Sequence, residues 1–153
     1  LTLSDINMDR CQDLARELDA QCVGPEAIMS VPCDVFSPNA LGAILDDDGI
    51  GRLDCKIVAG GANNQLQRPE HGPMLAERDI LYAPDYVINA GGIISVTLEY
   101  LCRKDEAPCD INEVRKRIAL IPGRLEQIWQ KSDETGVSPD QVADRMAQEL
   151  IGR

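Results

Sequence analysis

The sequence predicts an α/β fold in which the short strands of a mostly parallel sheet alternate with helices. Short apolar segments recur along the chain, separated by segments whose apolar residues have helical spacing. Gly, Pro and Asn residues lie between them, where turns are expected. Hydrophobic residues make up 44% of the chain but aromatic residues only 3%, so the core must be built from Ile, Leu, Val and Ala. These features favour a doubly wound sheet with helices on both faces.

The first half of the chain is predicted to hold four strands and two helices. The strands are expected at residues 1–4, 22–23, 31–36 and 56–59. A helix capped by Asn7 or Asp9 should run to about Leu18, and a shorter one should span 40–45. The acidic run 46–48 is interpreted as a solvated turn, because consecutive carboxylates on a strand or helix would point in different directions.

The second half is predicted to be mainly helical. After a short helix at 74–78 and a strand at 80–83, helices are expected at 93–102, 113–135 and 139–151. Pro122 should kink the longest of them, and Ser138 and Pro139 should supply the cap and first turn of the last. These C-terminal helices are expected to pack against one end of the sheet.

Length and charge limit the classes of protein to which the chain can belong. A chain of 153 residues is enough for one domain with its own core. The formal net charge of −11 argues against nucleic acid and against anionic membranes as partners. No apolar window approaches the roughly 20 residues of a membrane span. Leu1 begins in mid-strand with no preceding loop, and we therefore expect the first strand of the sheet to lie upstream of it.

The six cysteines and the single histidine form no metal-binding pattern. No two cysteines have CxxC spacing, and one His is too few for a typical Cys/His zinc site. We therefore expect no metal site, and interpret the cysteines as buried or unreactive thiols in a reducing cytoplasm. His71 lies in a segment of turn composition, which favours a structural role over a catalytic one.

Polar residues follow the predicted strands at the points where ligands bind in open parallel sheets. Asp5 follows the first strand, where it can accept hydrogen bonds from both adenosine ribose hydroxyls and repel the extra phosphate of NADP. It can equally well cap the next helix, and the residue alone does not favour either interpretation. Cys33 and Asp34 lie in a segment suited to adenosine or pyrophosphate, although a core position for Cys33 and a structural hydrogen bond for Asp34 are favoured.

Two segments rich in Gly and Asn, after successive strands, are more specific. In residues 59–64 (AGGANN), small residues let the backbone approach a flat ring, and Asn can donate to and accept from a carboxamide or ribose. Residues 89–92 (NAGG) lead into a helix whose N-terminus can favour a carboxylate. The sequence has no G-x-G-x-x-G turn, Walker loop, HExxH or Ser-His-Asp pattern, and we expect the pyrophosphate-binding turn upstream of Leu1.

Taken together, these segments resemble the glutamate/leucine/phenylalanine/valine dehydrogenase family, and most closely its leucine and phenylalanine members. The matching segments, in the family's order and spacing, are 4–7 (SDIN), 33–38 (CDVFSP), 40–42 (ALG), 59–66 (AGGANNQL), 71–72 (HG) and 82–92 (YAPDYVINAGG). The resemblance covers essentially the whole chain, and the segments 59–66 and 82–92 are the most specific.

The resemblance implies a parent enzyme that oxidatively deaminates an L-amino acid, branched-chain or aromatic, to its 2-oxo acid and ammonia, with NAD as hydride acceptor. It implies that residues 1–153 are a Rossmann-type NAD-binding domain that lacks its first strand and carries a C-terminal helical extension. The family's catalytic Lys and Asp belong to an N-terminal domain absent from this chain, so no catalytic residue is expected here. The parent is expected to be a homo-oligomer, and a non-catalytic dinucleotide-binding module is the alternative.

The resemblance also implies which residues contact the ligands. It places Asp5 at the adenosine ribose and Ile6 against the adenine. The residues implied further along the cofactor are Cys33, Asp34, Ala59, Gly60, Asn63 and Asn89. Those implied on the substrate side are Asn89, Gly92, Ile93 and Val96. Gly61 stands where the family often has Ser, and Thr97-Leu98 where it usually has Ala-Asp. These departures leave the identity of the substrate open, but not that of the cofactor.

Overall fold

The computed structural model describes residues 1–106 and 108–152. The strands are β1 (Thr2–Leu3), β2 (Gln21–Cys22), β3 (Cys33–Phe36), β4 (Cys55–Val58) and β5 (Leu81–Tyr82). The helices are α1 (Met8–Glu17), α2 (Pro25–Ile28), α3 (Asp47–Arg52), α4 (His71–Glu77), α5 (Asp85–Ile88), α6 (Gly91–Lys104), α7 (Ile111–Ile118), α8 (Ile121–Thr135) and α9 (Pro139–Ile151).

The strands are parallel and form two sheets. One sheet pairs β1 with β2, and the other has the order β3-β4-β5. In the larger sheet Val35 lies opposite Ile57, and Ile57 lies opposite Leu81. The predicted α/β fold with parallel strands joined by helices is therefore confirmed. Within the described residues β1 and β3 are not paired with each other, and the further strand expected between them stays a prediction.

The main core lies on one side of β3-β4-β5 and is aliphatic apart from two rings. Its buried members are Met29, Phe36, Leu45, Ile50, Leu53, Val58, Leu75, Ile80 and Tyr82. Ile50 and Leu53 come from α3 and the residue that ends it, and Leu75 comes from α4, so these helices cover the central strand β4.

The C-terminal helices dock on the end of β5, as predicted. A second apolar cluster joins Ile128 of α8 to Val142 and Ala143 of α9. The indole Nε1 of Trp129 donates to the carbonyl oxygen of Tyr82 at 2.9 Å. Gly72 at the start of α4 lies against the Asp140 carboxylate so closely that a Cβ there would overlap it.

The predicted helix at 40–45 and the predicted acidic turn at 46–48 are both wrong. Residue Leu45 is fully buried and forms a parallel bridge with Leu66, which holds this segment extended. Asp46 caps α3 instead, with its Oδ1 accepting from the Gly49 amide at 2.6 Å. The two carboxylates that follow lie in the first turn of α3, where the helix dipole stabilises negative charge.

The predicted long helix over 113–135 is two helices. The structure breaks it at Ala119 and Leu120, between α7 and α8. Pro122 lies in the first turn of α8 rather than inside a helix, where its missing N–H costs no hydrogen bond. The short helices α2 and α5 were not predicted, and each described strand differs from its predicted range by one or two residues at its ends.

One pair of cysteines also differs from the prediction. Cys11 on α1 and Cys22 on β2 form a disulfide, so the expectation that all six cysteines are unpaired thiols is wrong for this pair. The β1-α1-β2 crossover packs α1 back onto β2, which brings the two Cα atoms to 6.1 Å. Cys33, Cys55, Cys102 and Cys109 are free thiols.

Candidate functional site

A cleft of about 430 Å³ opens beyond the carboxyl ends of β4 and β5. The loop after β4 contributes Asn63 and Asn64, and the segment after β5 contributes the rest of the lining: Asp85, Tyr86, Asn89, Gly92 and Ile93. Four of the predicted site residues, Asn63, Asn89, Gly92 and Ile93, are therefore brought together in one place. This is the edge of a parallel sheet at which ligands are expected to bind.

Asn63 and Asn89 form a pair of amide side chains at this cleft. The Nδ2 of Asn89 donates to the Oδ1 of Asn63 at 2.6 Å and to the carbonyl oxygen of Gly61 at 3.3 Å. These bonds use the donor of Asn89 and the acceptor of Asn63. An Asn side chain carries one acceptor and one donor group, so the pair offers a ligand the Asn89 carbonyl oxygen and the Asn63 amide NH2.

Asp85 ties the two segments of the cleft together. It is only 6% exposed, and its two carboxylate oxygens have different partners. Oδ1 accepts from the hydroxyl of Tyr82 at 2.8 Å, and Oδ2 accepts from the backbone amide of Asn64 at 2.8 Å. Burial and this hydrogen bond raise the pKa of Tyr82, so the phenol stays protonated and remains a donor.

The loop between β4 and Leu66 is held from inside by Gln65. This side chain is fully buried, and its Nε2 donates to the carbonyl oxygens of Gly60 at 2.7 Å and Ala62 at 3.0 Å. Gly60 itself lies against the backbone of Pro38, and a Cβ there would overlap the Pro38 carbonyl oxygen. Glycine at position 60 therefore allows the loops after β3 and β4 to pack closely against each other.

The other segments predicted to touch the cofactor are placed differently. Asp5 and Ile6 lie just beyond the carboxyl end of β1 and are both exposed, Ile6 at 91%. The Oδ1 of Asp5 accepts from the Asn7 amide at 2.8 Å, while α1 is capped by Asn7, whose Oδ1 accepts from the Arg10 amide at 3.1 Å. Asp5 is thus not the helix cap.

Cys33 and Asp34 are not brought to the cleft. The sequence places them in a segment that ends a strand, but β3 begins at Cys33, so both lie in its first half. Asp34 forms an ion pair with Lys56 at 2.8 Å, and this hydrogen bond lowers the pKa of the Asp34 carboxyl. The carboxyl end of β3 is Phe36. Residues beyond it reach the site instead, since the Oδ1 of Asn39 accepts from the Gly61 amide at 2.9 Å.

The remaining predicted residues lie near the cleft or support it. Ala59 directly follows β4, and its amide donates to the Phe36 carbonyl at 3.0 Å. Val96 lies one turn beyond Ile93 on α6, is 61% exposed and does not line the cleft. His71 is fully buried as the first residue of α4, and its Nδ1 accepts from the Arg68 amide at 3.0 Å, a structural role.

Sequence reasoning missed Asn39, Asn64, Asp85 and Tyr86 as parts of the site. Asp85 and Tyr86 occur in the segment 82–92, but no sequence signal identifies their distant partners, Asn64 and Asp144. Tyr86, for example, donates from its hydroxyl to Asp144 at 2.7 Å. Among the described residues no group of three or more His, Cys, Asp or Glu side chains is placed to hold a metal ion. None of the described helices is long and apolar enough to span a membrane.

The parallel sheet, its covering helices and the polar cleft at its carboxyl edge define a Rossmann-type α/β fold with a candidate ligand site at that edge. Comparison with known proteins gives the family. Residues 4–151 match the model of the glutamate/leucine/phenylalanine/valine dehydrogenase family, and this chain belongs to that family. It is therefore related to amino-acid dehydrogenases, a family of oxidoreductases that generally uses a nicotinamide dinucleotide.

Individual relatives match along the full length of the chain. A leucine dehydrogenase from Thermoactinomyces intermedius is 43% identical over 99% of the chain, and one from Bacillus subtilis is 40% identical over 100%. The crystal structure of an L-tryptophan dehydrogenase from Nostoc punctiforme superposes with a TM-score of 0.90 at 38% identity, covering 99% of this chain and 45% of that one. The chain spans about 40% of the length of the leucine dehydrogenases that it matches.

Proposed function

We propose that this chain is the NAD-binding portion of an L-amino-acid dehydrogenase that converts a branched-chain or aromatic amino acid to its 2-oxo acid and ammonia. The observation that carries the proposal is the amide pair of Asn63 and Asn89 at the carboxyl edge of the sheet. Family membership supports the reaction class. The similarity to leucine and tryptophan dehydrogenases supports an apolar substrate side chain.

The cleft residues fit the carboxamide of a nicotinamide ring. Such a group has one acceptor oxygen and one donor NH2, which complement the Asn63 amide NH2 and the Asn89 carbonyl oxygen. Asp5 commits its Oδ1 to the Asn7 amide, and its other oxygen can accept from ribose hydroxyls. The chemistry that the dinucleotide supplies when bound is acceptance of a hydride from the substrate.

In this proposal the residues of the chain bind and orient, and they do not transfer protons. Asn63 and Asn89 fix the plane of the carboxamide because both amides are themselves held by the loop after β4. Ile93 and Val96 present apolar surface on one face of α6, 66% and 61% exposed, to the substrate side. Residues 1–153 form the cofactor domain with its helical extension, and the catalytic groups belong to a further domain of the parent.

Two measurements test the proposal. The parent protein should reduce NAD with leucine or phenylalanine, and the 153-residue chain alone should not do so with leucine, valine, phenylalanine or glutamate. Calorimetric titration of the parent with NAD should show binding that Asn63→Ala and Asn89→Ala weaken and that Asn112→Ala, on α7, leaves unchanged. A parent that binds NAD but turns over no amino acid would support the non-catalytic module instead.

The parent is also proposed to be a cytoplasmic homo-oligomer. Light scattering of the purified parent gives its mass in solution, and cell fractionation gives its compartment. A monomer, or a secreted protein, would contradict the corresponding part of the proposal and leave the reaction untouched.

A further inference from the structure

All six cysteines of the chain lie in three spatial pairs, although their spacing in the sequence shows no pairing motif. The first pair, Cys11 and Cys22, is joined by a disulfide with its Cα atoms 6.1 Å apart. The four thiols outside this bond are not scattered over the molecule. They lie as Cys33 beside Cys55, and Cys102 beside Cys109.

Cys33 and Cys55 are direct partners in the parallel ladder of β3 and β4. The amide of Cys33 donates to the Asp54 carbonyl at 3.0 Å, which fixes this register. Neighbouring strands lie about 4.8 Å apart, and partners in a ladder point to the same face. That separation falls within the roughly 4.4–6.8 Å found between the Cα atoms of disulfides. Cys33 is exposed and Cys55 half-buried, so a small reagent can reach the pair.

Cys102 and Cys109 meet at the C-terminal part of α6. The Sγ of Cys109 donates to the carbonyl oxygen of Leu98 at 3.5 Å. Leu98 and Cys102 are four residues apart on α6 and therefore neighbours on one face of the helix. Interaction with the Cys102 side chain, together with desolvation, raises the pKa of the Cys109 thiol to about 11. Cys109 thus lies against the turn of α6 that carries Leu98 and Cys102.

We propose that Cys33–Cys55 and Cys102–Cys109 are dithiol sites that form intrachain disulfides by exchange with a small-molecule disulfide. One thiolate of a pair attacks the external disulfide, which forms a mixed disulfide and releases one external thiolate. The second thiolate of the pair then attacks the protein sulfur of that mixed disulfide. It forms the intrachain bond and releases the second external thiolate. The external disulfide is reduced to two thiols, which take up the two protons lost by the protein.

The pairing changes the expected end product. A thiol without a neighbour stops at the mixed disulfide, whereas a thiol with a neighbour proceeds to an intrachain bond without an adduct. Closure of Cys102–Cys109 fixes the end of α6 to the segment before α7. Closure of Cys33–Cys55 links the amino ends of β3 and β4, whereas the cleft lies beyond the carboxyl ends of β4 and β5. The inference does not depend on the proposed amino-acid substrate or on bound NAD.

The test uses the intact protein with oxidised glutathione as the external disulfide. After the reaction is quenched with N-ethylmaleimide, intact mass and unreduced peptide maps are recorded. We expect a loss of two hydrogen masses for each of the two pairs, no stable glutathione adduct, and linked peptides 33 with 55 and 102 with 109. Four thiols still labelled by N-ethylmaleimide, persistent adducts, or links between other cysteines would overturn the proposal.

Two serine variants provide matched controls for the pairing. In Cys55→Ser, Cys33 should keep one glutathione while Cys102–Cys109 closes as before. In Cys109→Ser, Cys102 should keep the adduct while Cys33–Cys55 closes. Loss of the adduct in either variant would show that the resolving thiol is a different residue. The peptide map of the unmutated protein decides the same point even if a variant does not fold.

Discussion

The two ends of the predicted cofactor site differ in how firmly the protein holds them. The loop after β4, which carries Asn63 and accepts from Asn89, is held by hydrogen bonds of 2.7–3.0 Å between its backbone and the side chains of Asp85, Gln65 and Asn39. Asp5, beyond β1, has one short-range bond to the Asn7 amide, and Ile6 beside it is 91% exposed. The first region is therefore preorganised by tertiary contacts, and the second is shaped by local sequence.

In the proposed function the two regions have different tasks: the first orients the reacting groups, and the second sets the choice between dinucleotides. A reaction that depends on orientation loses rate steeply when the reacting groups are misplaced, so the amide pair must be held by its surroundings. A preference between two dinucleotides that differ by one phosphate can be set by a single charge, even on an open surface. Substitution of a residue that holds the amide pair, such as Asp85, should thus change both folding and ligand binding, and substitution of Asn89 itself should change mainly turnover. Substitutions in the second region should change only the choice of cofactor.

The largest effect is expected from Gly60→Ala. The new methyl group would overlap backbone atoms of Pro38, which cannot rotate away. We expect the free energy of unfolding to fall by about 3 kcal/mol, the upper part of the range for overpacking. Urea unfolding of the variant measures the change.

Gly51→Ala, in α3, is the matched control for that substitution. Its added methyl group meets nothing within 4 Å. Because alanine is the better helix former, the control should be neutral or more stable by about 0.5–1 kcal/mol. An equal loss in both variants would show that overlap with Pro38 is not the cause.

The next effect should come from Asp85, which links Tyr82 to the Asn64 amide. In Asp85→Asn, a side-chain NH2 must face one of two donors, and a charged hydrogen bond is lost. We expect the free energy of unfolding to fall by about 2 kcal/mol, and by about 1 kcal/mol in Tyr82→Phe, which leaves the Asn64 bond in place. Only Asp85→Asn should also weaken NAD binding, so a similar loss of binding in Tyr82→Phe would contradict the proposed link.

The predictions from sequence succeeded where a local signal decides the structure. Asn7 caps α1, and Pro139 opens α9, because capping chemistry depends on a few adjacent residues. Asn63 and Asn89 line one cleft, as the position of their Gly- and Asn-rich segments after two successive strands indicated. These elements needed no knowledge of distant contacts.

The predictions failed where the structure of a segment depends on a contact with a residue that is distant in the sequence. Leu45 is extended because it bridges to Leu66, a pairing that its own neighbours do not encode. Asp85 belongs to the site because of a bond to Asn64, 21 residues away. The start of β3 was set two residues too early, because strand boundaries depend on the ladder with β4.

Asn89→Ala should separate orientation from folding within the first region. Asn89 is only partly buried and donates to Asn63 and Gly61, so its loss should affect stability little. In the parent enzyme, turnover should fall at least roughly tenfold, which corresponds to about 1.4 kcal/mol of transition-state stabilisation. Steady-state kinetics per folded molecule measures this. Normal turnover combined with early unfolding would assign Asn89 to turn stability alone.

The smallest effect is expected in the second region, from Asp5→Ser in the parent enzyme. A carboxylate near the adenosine ribose should repel the 2′-phosphate of NADP, and an exposed charge pair at about 4 Å in water contributes about 1 kcal/mol. Removing it should shift the ratio of kcat/KM for NAD over NADP about fivefold toward NADP, with the free energy of unfolding nearly unchanged because Asp5 is exposed. Asp9→Ser, in the first turn of α1, removes the same charge a few residues away and should leave the ratio unchanged. Equal efficiency with both dinucleotides in the unmutated enzyme would remove Asp5 from the cofactor site. The same shift in both variants would show that net charge, and not the position of Asp5 beyond β1, sets the preference.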